Sequence, residues 1–81
     1  MAQPEKTFRI GRCSASVFIN TFQSNEGEKR TFRSVSLQRR YRDGDEWKTS
    51  TSFTLTDVPA AIAVLHLAMQ HIASREADVG N

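Results

Sequence analysis

The segment 30–53 limits the fold more than any other part of the sequence, because it reads as two alternating strands around a tight turn. Residues 30–41 alternate apolar side chains with Ser, Gln and Arg, and a second alternating run follows Asp43-Gly44-Asp45. Asp-Gly favours short hairpin turns, and a period of two places alternate side chains on opposite faces of a sheet. The segment therefore predicts an antiparallel hairpin with one apolar face and one polar, basic face.

A further extended segment, 7–22, precedes this hairpin, and the polar residues 23–29 form the connection. Ala15, Val17 and Ile19 alternate with mostly polar residues, which predicts that they join the apolar face. Gly11 interrupts the pattern. We interpret the segment as one long strand that is bent or bulged near Gly11, with two separate strands as the alternative.

A helix follows the sheet. Thr56 or Asp57 can accept hydrogen bonds from the amides of a first helical turn, and Pro59 is tolerated there. The predicted fold class is α+β: a curved antiparallel β-sheet of three long strands, the first either continuous or split near Gly11, followed by one C-terminal α-helix packed on one face. The predicted layout is a single domain over 1–81, with a disordered terminus over 1–6, the sheet over 7–55 and the helix over 57–76.

The predicted helix carries apolar residues on two sides. One stripe at helical spacing is expected to cover the sheet, and it consists of Val58, Ala61, Ile62, Leu65, Met69 and Ile72. A second stripe contains Ala60, Ala63, Val64 and Leu67, and a helix that is apolar nearly all round is buried on two sides. We therefore predict a homodimer with Val64, Leu67 and His71 at the contact. The alternative is an Ala-rich helix with an exposed second stripe.

Charge is distributed unevenly along the chain. Nine of the eleven Lys and Arg residues lie in 1–42, whereas six of the nine acids follow residue 42. Basic strands suit a polyanionic partner, and a solvated surface of mixed charge is the alternative. On the polar sheet face, cations can hold phosphates, rings can stack on bases, and amides can bond to base edges. The predicted nucleic-acid contacts are Arg12, Phe18 with Phe22 or Phe32, Arg30, Gln38, Arg39, Arg40 and Lys48.

Other chemistry finds little support in the sequence. His66 and His71 are five residues apart, which separates them on a helix, and nothing completes a metal site with Cys13. We expect no metal, cofactor, catalytic residue or small-molecule substrate, and therefore no enzyme. The chain shows no signal peptide or membrane-spanning run. A lone cysteine favours a reducing compartment, so the expected location is cytoplasmic.

The passage Lys48-Thr49-Ser50-Thr51-Ser52-Phe53-Thr54-Leu55-Thr56-Asp57 carries a resemblance to a known family. A basic strand that ends in an apolar-Thr/Ser-Leu step before a helix cap is similar to the single-stranded-DNA-binding coactivators called positive cofactor four, and to their Whirly-like relatives. The pattern covers roughly 7–73. The resemblance implies a dimer that cradles single strands on curved sheets, with Phe18, Gln38, Arg40 and Lys48 facing the ligand.

Two functions follow as hypotheses. The first is binding of single-stranded nucleic acid with low sequence specificity, DNA before RNA, by a homodimer that serves transcription or DNA maintenance. The second is a protein-interaction or assembly module that dimerises through its helix and has no nucleic-acid role. Convergence of Arg12, Arg30, Arg39 and Arg40 on one face would favour the first hypothesis.

Overall fold

A computed structural model describes residues 3–77 of the chain. Four strands form one antiparallel sheet in chain order, and the sheet is curved without closing. This confirms the predicted α+β class. The segment that we interpreted as one long first strand forms two strands instead. The predicted terminus 1–6 lies partly outside the described residues, and Glu5 within it is half-buried. The elements are β1 (Lys6–Ile10), β2 (Cys13–Gln23), β3 (Lys29–Asp43), β4 (Glu46–Ser50) and α1 (Val58–Glu76).

Both tight turns begin with a glycine in the left-handed region. Ile10 pairs with Cys13 across the first turn, and Gly11 there has φ +59°. Gly44 occupies the same place between β3 and β4, with φ +64°. Only glycine adopts this conformation without steric cost, and such turns match the twist of paired strands. Gly11 therefore begins a hairpin turn. The interpretation of 7–22 as one bent strand is wrong, and the alternative of two separate strands is correct.

The register of β4 reverses one prediction. Asp43 pairs with Glu46, which leaves a two-residue loop and places Trp47 opposite Arg42 and Lys48 opposite Tyr41. A loop of three residues, as the sequence suggested, would place Trp47 opposite Tyr41, and a shift by one residue exchanges the two faces of a strand. The prediction that Lys48 lies on the polar face is therefore wrong. Its ammonium group instead meets Asp43 at 3.0 Å.

The core forms where α1 crosses β1 and β2. It consists largely of small side chains, which allow the helix to lie close to the sheet. Val64 is 0% exposed in this core, so its predicted place at a subunit contact is wrong. The buried residues are Cys13, Ala15, Val17, Ala61, Val64 and Ala68, with Phe8, Leu37, Phe53, Ala60 and Ile72 packed around them.

The helix is rotated relative to the prediction. Ile62 and Met69, which were expected to cover the sheet, are 62% and 57% exposed, and Leu65 is 40% exposed. The stripe through Ala61 and Ala68 faces the sheet in their place, because its short side chains fit the narrow space above β2. Leu67 is half-buried within the subunit. Three large apolar side chains of α1, those of Ile62, Leu65 and Met69, are therefore left outside the core.

A cluster of charged groups joins the N-terminal segment, β3 and the end of α1. Arg33 donates to both carboxylate oxygens of Glu5, at 2.8 and 3.1 Å, and to Glu76 at 3.1 Å. His71 Nε2 lies 3.1 Å from Glu5 Oε1, and its ring packs edge-on against Phe8. His71 therefore bonds within its own subunit, which corrects its predicted role at the dimer contact.

This cluster predicts a pH dependence of stability. The hydrogen bonds from Arg33, followed by that from His71, lower the pKa of Glu5 from 4.5 to about 2. A lowered pKa adds stability that is complete above pH 4.5 and is lost as the pH falls towards 2. We expect Glu5→Gln to reduce the free energy of unfolding most above about pH 5, and the deficit to shrink at lower pH. Urea unfolding measured from pH 7 down to pH 2.5 tests this.

Glu26→Gln is the matched control, because Glu26 is an exposed carboxylate in the loop between β2 and β3. Asp57 also titrates at low pH, but it is present in both proteins and cancels in the comparison. A deficit of Glu5→Gln that stays constant with pH would contradict the assignment.

Candidate nucleic-acid interface

The sheet face turned away from α1 collects most of the predicted contacts, and we call it the open face. Among residues 3–77 no helix or strand packs over it. Register and alternation assign its residues, since paired side chains in antiparallel strands share a face. Its members are Thr7, Arg9, Ser14, Ser16, Phe18, Asn20, Phe22, Arg30, Phe32, Ser34, Ser36, Gln38, Arg40, Arg42, Trp47 and Thr49.

The charge of the open face is of one sign. Arg9, Arg30, Arg40 and Arg42 point to this side, and the strand residues that share it include no Asp or Glu. Arg30 has an exposed partner in Glu28, at 3.7 Å, and such a surface pair is weak. The face therefore presents a positive potential that the net charge of +2 understates.

Three phenylalanines occupy one end of the open face. Strands β2 and β3 continue past β1 and β4 as a two-stranded ribbon, 18–23 paired with 29–34, which we call the arm. Phe22 and Phe32 are 56% and 51% exposed, and Phe18 is half-buried. A two-stranded ribbon is marginal in water by itself. Exposed rings on such a ribbon are suited to stacking against a partner.

Trp47 occupies the other end of the open face, between two arginines. The guanidinium carbon of Arg40 lies 4.7 Å from its ring centroid, and that of Arg42 lies 5.8 Å away. Trp47 is 58% exposed, so these cation–π contacts form at the surface. They hold two cations and a large aromatic side chain together on β3 and β4.

Polar side chains lie between the two ends. Asn20 donates to Ser34 Oγ at 2.9 Å, and the hydroxyls of Thr7 and Ser16 are 3.1 Å apart. Gln38 is exposed, and its amide can both donate and accept hydrogen bonds. The middle of the face therefore offers donors and acceptors to base edges or phosphate oxygens.

Asp57 pairs with two of the predicted phosphate ligands. Arg12 Nη2 lies 3.0 and 2.9 Å from its two carboxylate oxygens, and Arg39 Nε lies 3.7 Å from one of them. Arg39 also donates to Ser52 O at 2.8 Å, on the helix side of the sheet. The predicted role of Asp57 as a side-chain cap is wrong, because this carboxylate bonds no amide of α1. Hydrogen bonds from Thr54 and then Arg12 lower its pKa.

Cys13 lies beneath this region and is buried. Its Sγ is 3.5 Å from Asp57 O, and burial, followed by the charge of Asp57, raises the pKa of the thiol. A protonated buried thiol is a poor nucleophile. Within residues 3–77, no three His, Cys, Asp or Glu side chains gather as a metal would require. No helix in the same range has the length and hydrophobicity needed to cross a bilayer.

Comparisons with protein-family models, with curated proteins and with solved structures found no match to this chain. The likeness to positive cofactor four therefore rests on the pattern of residues alone.

The structure brings together part of the predicted site. Five of the predicted contacts share the open face, whereas Arg12 and Arg39 bond Asp57 and Lys48 lies on the helix side. Sequence reasoning missed five further members, namely Thr7, Arg9, Arg42, Trp47 and Thr49. Reading Gly11-Arg12 as a turn would have found Arg9, which pairs with Ser14. The five shared residues are Phe18, Arg30, Phe32, Gln38 and Arg40.

The positive potential around Trp47 can be measured directly, because it is the only tryptophan in the chain. We expect iodide, an anion, to quench its fluorescence more strongly than caesium does, after each is normalised to free N-acetyltryptophanamide. Arg42→Gln should reduce the excess of quenching by iodide over quenching by caesium. A higher salt concentration should also reduce this excess, because it screens the positive potential. Acrylamide, which is neutral, provides the control for accessibility. Equal normalised quenching by both ions would contradict the assigned electrostatics.

Proposed function

We propose that the chain binds single-stranded nucleic acid through the open face, with low sequence specificity. The observation that carries the proposal is the combination on this face of four arginines, exposed aromatic rings and no strand carboxylate. Arginines can hold the phosphates while rings stack on successive bases. Hydroxyl and amide groups between them add hydrogen bonds that tolerate different bases.

The aromatic rings favour a single strand over a duplex. Phe22 and Phe32 expose about half of their surface on the arm, where an unpaired base can stack. In a duplex the base faces are already stacked on each other, and only edges and phosphates are accessible. The proposal therefore names single-stranded DNA first and RNA second, as the resemblance to positive cofactor four implies.

The proposal includes a homodimer that forms through a different surface from the one expected. His71 contacts Phe8 on β1, whereas Glu76 contacts Arg33 on β3, so these residues mark the two sides of α1. Helical spacing places Leu65 and Met69 on the side of Glu76. There they lie towards β3, whose Val35 is 38% exposed on the same sheet face. We call Ile62, Leu65, Met69 and Val35 the apolar patch.

A second copy of the chain is the occupant that fits the apolar patch. Residues 58–74 contain no Asp, Glu, Lys or Arg, so two such helices can meet without opposing like charges. A self-complementary surface of this kind is what a two-fold contact requires. The open face lies on the opposite side of the sheet and stays accessible in such a dimer.

The binding proposal is tested by fluorescence anisotropy with labelled oligothymidylate of about 12 nucleotides. We expect Arg40→Gln to weaken binding roughly five- to tenfold at low salt, since a charge-assisted contact is lost. It should also make the slope of log K against log salt shallower by roughly 0.7. Phe32→Ala should weaken binding by about tenfold with an unchanged slope, because stacking releases no counterion.

Lys48→Gln is the matched control, since it removes the same charge from the neighbouring strand on the helix side. We expect it to change the affinity less than about twofold. Duplex DNA of equal length should bind more weakly than the single strand. Flat titrations of the wild-type chain at low salt would reject the proposal and favour the protein-interaction module.

The dimer is tested separately by sedimentation equilibrium. We expect the wild-type chain to sediment as a dimer and Met69→Glu to sediment as a monomer, because a carboxylate in an apolar contact stays uncompensated. Gln70→Glu introduces the same charge one residue away, outside the apolar patch, and should leave the dimer intact. A monomeric wild type, or a dimer unaffected by Met69→Glu, would overturn this contact.

A further inference from the structure

A cavity of about 160 Å³ opens on the open face beside the turn between β1 and β2. Its position is fixed by the register, since Arg9 pairs with Ser14 and Ser14 pairs with Gln38. Arg40 and Thr49, which pair with each other, complete the wall on the far side. The cavity therefore crosses all four strands at the end of the face opposite the arm.

The lining of this cavity is strongly cationic. Arg9, Arg12 and Arg40 surround it, and no carboxylate is among the residues that line it. Asp57 offsets Arg12 from the helix side, whereas the side chain of Arg9 is exposed and Arg40 meets the ring of Trp47. Ser14, Gln38 and Thr49 add neutral groups that can donate hydrogen bonds. Such a lining suits an anion with several oxygens and more than one negative charge.

The position suggests which anion that would be. The turn at Gly11-Arg12 reverses the chain at this end of the face, beyond the last pair of β1 and β2. From Phe22 on the arm to Ser14 at the cavity, the strand covers roughly 27 Å. A polynucleotide that stacks on the arm and follows β2 reaches the cavity at the margin of the sheet. A terminal phosphate monoester carries close to two charges, whereas an internal phosphodiester carries one.

We propose that this cavity binds the terminal phosphate of a single strand, so that the chain prefers phosphorylated ends. The inference rests on the proposed function of the open face. It adds the direction in which the single strand lies across that face. The bases stack at the arm, and the strand ends between Arg9 and Arg40, beside Arg12, whose charge Asp57 offsets. Binding of the terminal phosphate makes and breaks no covalent bond.

The experiment compares three labelled oligothymidylates of equal length, one with hydroxyl ends, one with a 5′-phosphate and one with a 3′-phosphate. Anisotropy is measured at physiological salt and at pH 7.5, where a terminal phosphate is largely dianionic. We expect one of the two phosphorylated strands to bind at least about fivefold more tightly than the hydroxyl-ended strand. The strand that is preferred identifies the end that the cavity takes.

Two variants test the location. Arg9→Gln should abolish the preference by lowering the affinity for the phosphorylated strand about fivefold more than the affinity for the hydroxyl-ended strand, and Thr49→Glu should abolish the preference by repulsion. Arg30→Gln on the arm removes the same charge far from the cavity. This variant should weaken the binding of all three strands by the same factor, so that the ratio of their affinities is unchanged. Circular dichroism of each variant checks that the fold is retained.

The outcomes separate the two proposals. Equal affinity for all three strands would overturn the terminal-phosphate site and leave the open face as a binding surface. A preference that survives both Arg9→Gln and Thr49→Glu, or that falls equally in Arg30→Gln, would also overturn it, because general charge attraction would then explain the preference. Failure of every strand to bind at low salt would reject the proposed function and the cavity together.

Discussion

The close packing of α1 on β1 and β2 through small side chains is the contact on which the rest of the structure depends. Ala61, Val64 and Ala68 lie against Cys13, Ala15 and Val17, and the helix covers this face of the sheet only. A chain of this length forms a modest core, and among residues 3–77 no second layer covers the other face. The same contact turns Ile62 and Met69 outward. Both proposed surfaces, the open face and the apolar patch, therefore follow from it.

The arginines are divided by this arrangement into two groups. On the helix side, Arg33 bonds Glu5 and Glu76, and Arg39 pairs with Asp57, which Arg12 in the first turn also contacts. The side chains of Arg33 and Arg39 are only 19% and 16% exposed, and their carboxylate partners offset the cost of holding a charge away from water. The open face has exposed arginines among aromatic and hydroxyl side chains instead. The plane of the sheet thus separates Arg33 and Arg39, which have carboxylate partners on the helix side, from the arginines of the open face.

Alternation predicted the faces of β2 and β3 correctly, which is why Phe18, Phe32, Gln38 and Arg40 were placed together in advance. Two of the errors, those for Lys48 and Val64, have separate physical causes. Lys48 was assigned to the wrong face because the loop after Asp43 contains two residues and not three, and one residue reverses a strand. Val64 was assigned to the wrong side of α1 because both helical stripes are apolar. Hydrophobicity does not reveal that the smaller side chains fit the gap above β2 better than Ile62 does.

The sequence by itself determined the α+β class, the antiparallel hairpins β2–β3 and β3–β4, the extent of α1 and the polar, basic character of one sheet face. These depend on local propensity and on periods of two and 3.6 residues, which the residues carry in their order. The tertiary structure alone decided the phase of α1, the partners of Arg12 and Arg39, and the cavity that crosses four strands. Those features depend on side-chain volume and on ion pairs between residues far apart in the chain, such as Arg12 and Asp57, so no local pattern specifies them.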